Sequence, residues 1–288
     1  QILCTPGFNA LRFFAQLDEA RPTWYTAVPT MHQAILNRSS RNKDIIERVG
    51  LRFLRSSSAS LPAPIMNELI DVFNAPVIEA YGMTEAAHQM CSNPLPPRAQ
   101  KPGAVGVAAG PDVGTASETS DVLLMAGQTG EIVINGPNVT PGYEGNPKAN
   151  EDNFFMADGK RWFRTGDQGA FDDEGYLRLT GRLKEIINRG GEKISPLEVD
   201  AVLLGHPEIA QIVCFGVLHP KLGEDIAAAV VLTEGSQLNE KDIRAFAAEH
   251  IANFKVPRSI MILEEIPKGP TGKIQRIGMA EKLGMTHE

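Results

Sequence analysis

A change of texture after Asn93 constrains this chain more than any other feature. Up to that point short apolar runs alternate with helix-period patterns, while beyond it Pro94, Pro96, Pro97, Pro102 and Gly103 break any helix. Asn9 to Leu17 reads as a helix with Leu11, Phe14 and Leu17 on one face. Trp24 to Ala27, Leu51 to Arg55 and Ala75 to Ala80 read as strands. Pro29 to Leu36 and Pro62 to Phe73 read as helices with proline at the first turn, where its missing N–H costs nothing. Strand, helix and strand in that order imply a parallel sheet. After Asn93 the pattern is strands and turns. Gly130 to Asn135 alternates, Asp172 to Gly175 is a turn, and Tyr176 to Thr180 alternates again, as in a small antiparallel unit.

A third texture begins at Lys184. Ser195-Pro196-Leu197-Glu198 has the form of a capping box, and the helix it opens is expected to run to about Leu204. Ile209 to Val217, Ala227 to Leu232 and Ser259 to Leu263 read as strands, and Asn239 to His250 as a helix with Ile243, Phe246 and Ala247 inward. Two helices against three strands make a small α+β domain. The expected fold class is therefore α/β. Residues 1–183 would divide into an α/β part over 1–95 and a β-rich part over 96–181, followed by a small α+β domain over 184–288.

Composition narrows the function. The chain has 288 residues, long enough for about two domains. With 28 Lys+Arg against 35 Asp+Glu its net charge is −7, which argues against a general nucleic-acid binder. No apolar run approaches the ~18 residues of a membrane span. Cys4, Cys91 and Cys214 form no CxxC, so a zinc ribbon or redox dithiol is excluded and a reducing compartment is expected. The last residues, Met285 to Glu288, lack the Ser-Lys-Leu peroxisomal address, and a cytoplasmic or peroxisomal location is expected. The chain starts at Gln1 within what reads as folded sequence, so a fragment is expected.

Five short segments carry possible chemistry, and each has a bland alternative. Tyr81-Gly82-Met83-Thr84-Glu85 follows a strand and offers an aromatic face, an open backbone, a hydroxyl and a carboxylate. It could hold a base, a phosphate oxygen and Mg²⁺, or be a strand-to-helix turn with a Thr cap. Arg164-Thr165-Gly166-Asp167 is a turn, or an Asp placed for a ribose diol. Gly181-Arg182-Leu183-Lys184-Glu185 is a solvated charge cluster, or a hinge with an arginine for ribose or phosphate. Asn188 to Lys193 contains a Gly190-Gly191 hairpin turn. Pro270-Thr271-Gly272-Lys273-Ile274 presents a lysine that is merely solvated or suited to a phosphoryl transition state.

In this order and spacing, these segments resemble the adenylate-forming acyl-CoA synthetase family. The resemblance runs through essentially the whole chain. Arg55 to Leu61, Thr84 to Met90, Ser92 to Pro96, Gly136 to Thr140 and Asn188 to Asp200 look most like its oxalate-CoA ligase branch, among the coumarate-ligase-like proteins of plants and fungi. The resemblance implies ATP, Mg²⁺ and CoA as cofactor and substrates, and a carboxylic acid, oxalate favoured. It implies that Tyr81 stacks on adenine beside Gly82, that Thr84 contacts the α-phosphate and that Glu85 helps hold Mg²⁺. Asp167 would bind the ribose hydroxyls with help from Arg182, and Lys184 would be the hinge of the C-terminal domain. Lys273 would bind α-phosphate and carboxylate oxygens, and Gly190-Gly191 would approach CoA.

For the acid, the resemblance points to Ser58, Ala59, Ser60 and His88. A small polar pocket suits a second carboxylate better than an acyl chain, and a protonated His88 is expected to pair with it. The alternative is a helix-surface histidine. An aromatic or medium-chain acid, a peptide-synthetase adenylation domain and a non-catalytic fragment are the competing readings. The last follows from a departure: the family's Ser/Thr/Gly-rich phosphate loop is not found, and it would lie upstream of Gln1 with the N-terminal half of the large domain.

Overall fold

The computed structural model describes residues 2–269 and 274–285. Its contacts divide it into two units, Gln1–Thr165 with Gly169–Leu179 and Gly166–Gln168 with Thr180–Glu288. Among the described residues no helix is long and apolar enough to cross a membrane.

The first unit opens with α1 (Ala10–Ala20), β1 (Trp24–Ala27), α2 (Pro29–Ser39), α3 (Lys43–Val49), β2 (Phe53–Ser56), α4 (Ala63–Phe73) and β3 (Val77–Met83). Asn9 caps α1, its side chain accepting from Leu11 and Arg12 N–H at 2.9 and 3.3 Å. Phe14 and Leu17 are buried as expected, whereas Leu11 is exposed. Helix α3 has no counterpart in the sequence reading. It buries only Ile46 among charged residues, so its apolar period is too thin to register. Strands β1, β2 and β3 pair in parallel, with Arg55 opposite both Thr26 and Ile78. Alternation along β2 sends Leu54 into the core with Met66, Leu69 and Val77. Phe53 and Arg55 therefore lie on the other face, where Trp24 stacks on Phe53 at 5.1 Å.

Strand β3 runs past Ala80 through Tyr81 and Gly82 to Met83. No helix follows. A single 3₁₀ turn, Thr84–Ala86, returns the chain as β4 (His88–Ser92), antiparallel to β3, with β5 (Val107–Ala108) beyond it. The expected strand-to-helix turn is thus a hairpin. Then come β6 (Asp112–Ala116), β7 (Gly130–Asn135), α5 (Pro147–Asn153), β8 (Phe154–Ala157), β9 (Lys160–Phe171) and β10 (Leu177–Arg182). They form a sheet of order β10-β9-β7-β6, with β8 on β9. Ile132, Ile134, Phe163 and Leu177 share one core with Tyr81, Met90 and Val105.

The second unit contains β11 (Ile187–Arg189), β12 (Glu192–Ile194), α6 (Pro196–Leu203), β13 (Ile209–His219), β14 (Gly223–Leu232), α7 (Glu240–His250), β15 (Ser259–Ile262) and α8 (Met279–Lys282). Its sheet has five strands rather than three, in the order β12-β11-β14-β13 with β15 parallel to β14. Along β14, Ile226, Ala228 and Val230 pack into a cluster with Val199, Leu203, Ile243 and Ala247. The alternate residues Ala227 and Ala229 join Val213, Phe215, Ile266 and Met279. Only half of the capping box forms. Ser195 Oγ accepts from Glu198 N–H at 3.3 Å and also donates to Thr180 O. The Glu198 carboxylate instead takes Lys255 Nζ at 2.6 and 2.7 Å. An ion pair outcompetes the return bond to the cap. A complete capping box stands at Asn239 and Asp242.

Candidate active site

The hairpin of β3 and β4 explains most of Tyr81 to Glu85. Tyr81 is buried in the shared core. A Cβ on Gly82 would sit 1.6 Å from the His88 carbonyl oxygen, so only glycine lets β4 close against β3 at the bulge after Tyr81. The glycine serves the hairpin before any ligand. Thr84 is exposed and Glu85 half-buried in the 3₁₀ turn.

The segment 136–143 holds that turn. Thr140 N–H donates to Glu85 O at 2.7 Å, and Asn138 Nδ2 donates to Ala86 O at 2.7 Å. Tyr143 Oη donates to Glu85 Oε1 at 2.8 Å. Burial, with Glu85 alongside, raises the Tyr143 phenol to about 12, so it stays a donor at neutral pH. Among the described residues no Lys or Arg pairs with Glu85, and no group of three His, Cys, Asp or Glu is placed to hold a metal by itself. One fixed, un-neutralised carboxylate fits an Mg²⁺ shared with substrate phosphates, and does not fit an all-protein cage.

The expected acid-side residues meet an unexpected arginine. Ser58, Ala59 and Ser60 are exposed beyond the C-terminal end of β2, with Ser58 at φ +73°. His88 opens β4, and Arg55 Nη2 lies 2.9 Å from its Nε2. A guanidinium only donates, so Nε2 is the acceptor in this contact. Where sequence reasoning expects His88 to meet the acid, the structure places Arg55 against its Nε2. His88 does not lie on a helix surface. Arg55 Nη1 is also held by Ser57 Oγ at 3.1 Å and Thr26 Oγ1 at 3.4 Å. No carboxylate pairs with Arg55 among the described residues, and partial burial lowers its pKa. It lines a cavity of about 440 Å³ with Trp24, Phe53, Gln89, Asn93 and Arg98.

Beneath this turn lies Glu79, buried on β3. Its Oε1 accepts from Leu61 N–H at 2.8 Å, which fastens the end of the 57–61 segment. Burial raises its carboxyl to about 7. Sequence reasoning gives no role of their own to Arg55, Glu79 and Tyr143. An acid inside the apolar run Val77-Ile78-Glu79-Ala80 was the one plain signal.

In the second unit Arg182 Nε lies 3.1 Å from Asp167 Oδ1, so these two expected ribose residues meet. Asp167 is nearly buried and Arg182 mostly exposed. Lys184 is exposed in the 3₁₀ turn Leu183–Glu185. Gly190 and Gly191, at φ +59° and +96°, form the two-residue turn between Arg189 and Glu192, a hairpin geometry that demands left-handed backbone. Lys273 lies outside the described residues.

Comparison with known proteins adds three findings. Residues 1–144 match the family described as AMP-binding enzyme, and residues 198–273 its C-terminal domain. The chain is 51% identical over 275 residues to the probable CoA ligase CCL9 of Humulus lupulus, covering 95% of this chain and 51% of that protein. It is 50% identical over 270 residues to the oxalate–CoA ligase of Arabidopsis thaliana, covering 93% of this chain and 51% of that protein. The chain thus spans about half the length of the curated relatives it matches. Among solved structures, ATP-bound MatB from Rhodopseudomonas palustris superposes with a TM-score of 0.88 at 29% identity, over 97% of this chain and 54% of that one.

Proposed function

The chain belongs to the AMP-binding enzyme family, and from that premise we propose that it is part of an AMP-forming acid–CoA ligase acting on a short diacid, oxalate favoured. A carboxylate oxygen attacks the α-phosphorus of ATP, releasing pyrophosphate and leaving an acyl-adenylate. The sulfur of CoA then attacks the acyl carbon, forming the thioester, and AMP departs. Two anions must meet in the first step, so the site has to supply positive charge. When bound, Mg²⁺ screens the triphosphate. In this reading Glu85 holds the cation, and Thr84 offers its hydroxyl to the α-phosphate. Tyr81 backs the adenine beside Gly82, and Asp167 with Arg182 takes the ribose. Lys184 is the hinge, Lys273 supplies positive charge to the α-phosphate and carboxylate oxygens, and Gly190-Gly191 approaches CoA.

The observation that carries the choice of acid is Arg55. Its guanidinium is held by His88, Ser57 and Thr26, and among the described residues no carboxylate cancels it. A charge-assisted pair with the distal carboxylate of a diacid would use it, and an acyl chain or aromatic ring would leave it unsatisfied. His88 then acts by orienting Arg55. Ser58, Ala59 and Ser60 leave room for a small substrate. The high identity to an oxalate–CoA ligase supports the same reading.

The test is acid-dependent AMP release from ATP and CoA, with oxalate, coumarate and octanoate in parallel, on this chain and on the gene product extended upstream. A response to oxalate alone is expected. A preference for coumarate or octanoate would remove the diacid reading but keep the ligase. Silence from both proteins with every acid would favour a non-catalytic chain.

A further inference from the structure

We infer that Tyr143 is a positioning residue for the cation-binding carboxylate, a reading that rests on the Glu85 role proposed above. The phenol occupies one site on Glu85 Oε1 at 2.8 Å and leaves Oε2 with no hydrogen bond of its own among the described residues. The chemistry of the donor matters. A lysine or arginine here would fix the carboxylate equally well, but would cancel the charge that attracts a cation. A phenol fixes the carboxylate and leaves its charge whole.

Tyr143 is itself built to stand still. Asn150 Oδ1 accepts from Tyr143 N–H at 2.7 Å, and Asn150 Nδ2 donates to Tyr143 O at 3.0 Å. The amide side chain thus closes a two-bond clamp on one residue's backbone. The preceding Gly142, at φ +151°, is required by the same clamp, because a Cβ there would lie 2.8 Å from Asn150 Oδ1. Asn150 lies on α5, and the Tyr143 ring meets Phe163 of β9 at 6.3 Å between centroids. The same segment grips the Glu85 turn twice more, through the Thr140 main-chain N–H and the Asn138 side-chain amide. The carboxylate is therefore fixed by a short segment that is itself clamped to a helix and packed on the second sheet. Such outer partners of a metal-binding carboxylate set how well it is preorganised, and losing one typically weakens metal affinity by roughly 10–100-fold.

The experiment is Tyr143→Phe in the full-length gene product, which keeps the ring against Phe163 and removes only the hydroxyl. The Mg²⁺ concentration for half-maximal adenylation should rise roughly tenfold or more, with the KM for the acid unchanged. Mn²⁺ binding in the presence of ATP, followed by electron paramagnetic resonance, should weaken by a similar factor. A thermal melt within a few degrees of wild type would show that the scaffold is intact. Superimposable Mg²⁺ and Mn²⁺ curves for Tyr143→Phe, alongside a shifted curve for Glu85→Gln, would overturn the inference and spare the Glu85 role. Unshifted curves for both variants would remove the Glu85 role and this inference with it.

Discussion

Two arginines in this molecule are held in opposite ways. In the second unit Arg276 is mostly buried. It donates to Asp200, to Glu185 at 3.4 Å and to the Cys214 carbonyl at 3.1 Å. Asp200 also accepts from Cys214 N–H at 2.7 Å, so the group ties the start of the unit, α6, β13 and the residues before α8 into one network. In the first unit Arg55 has three contacts of similar length, and none of the acceptors is a carboxylate. The difference teaches how to read a buried or half-buried cation. Carboxylates around a guanidinium neutralise it and make it part of the fold. Acceptors other than carboxylates fix its direction and leave its charge for something else.

The largest effect should come from breaking the neutralised network. Arg276→Ala leaves Asp200 buried without its cation, and such a loss typically costs about 3–5 kcal/mol. Urea unfolding of the second unit should show it, and a cost near zero would erase the contrast with Arg55. Next comes Glu79, a buried carboxylate with no cation partner among the described residues. Its folded pKa of about 7 stands above the ordinary value of 4.5 because of burial. Between those two pH values the unfolded chain gives up a proton that the folded chain keeps. Its contribution is therefore most favourable below pH 4.5, is lost as pH rises to about 7, and is constant above. The shift amounts to about 3 kcal/mol. Glu79→Gln should flatten the pH dependence of unfolding across this window, and an unchanged slope would remove Glu79 as its source. Arg55→Leu ranks third. Losing a charge-assisted hydrogen bond of about 1.5–3 kcal/mol should raise the KM for oxalate roughly 10–100-fold, with coumarate and octanoate no worse and the melting temperature little changed. An equal loss for all three acids would make Arg55 a structural arginine like Arg276.

The elements that sequence reading placed well are those with an uninterrupted local pattern. β1, β7 and the helix after Asn239 each carry a clean period or cap, and the structure puts them within a residue or so of the expected bounds. The strand-to-helix alternative after Tyr81 rests on the cap chemistry of Thr84 and Glu85. What decides against it is the close pass of β4 over Gly82, a contact with no local signature. The same holds at the site. Glycines, Tyr81 and Glu85 could be picked out because their spacing is a motif. Arg55 carries no such local signal, since its meaning comes from His88, which lies on a strand two positions across the sheet. His88 stands beside the same motif, but its contact with Arg55 is one that no single position in a sequence states. Tyr143 acts on Glu85 from far along the chain, where only folding reveals the pair.

The smallest prediction tests the contrast at its finest grain. Ser57 Oγ is one of the three acceptors that aim Arg55, at 3.1 Å from Nη1. Ser57→Ala removes one ordinary hydrogen bond, worth about 0.5–1.5 kcal/mol net, and leaves the guanidinium charge where it was. If direction matters as well as charge, the KM for oxalate should rise by roughly 2–10-fold, well short of the effect of Arg55→Leu. The KM for coumarate should not move, because an acid without a second carboxylate has no use for the aim of Arg55. Ser57 is buried, so an accompanying drop in melting temperature is expected. A selective KM change separates the two consequences, since lost stability alone would touch all acids alike. An unchanged oxalate KM would mean that His88 and Thr26 suffice to orient Arg55. A rise as large as that of Arg55→Leu would mean that an arginine held without a carboxylate is only as useful as the weakest of its partners.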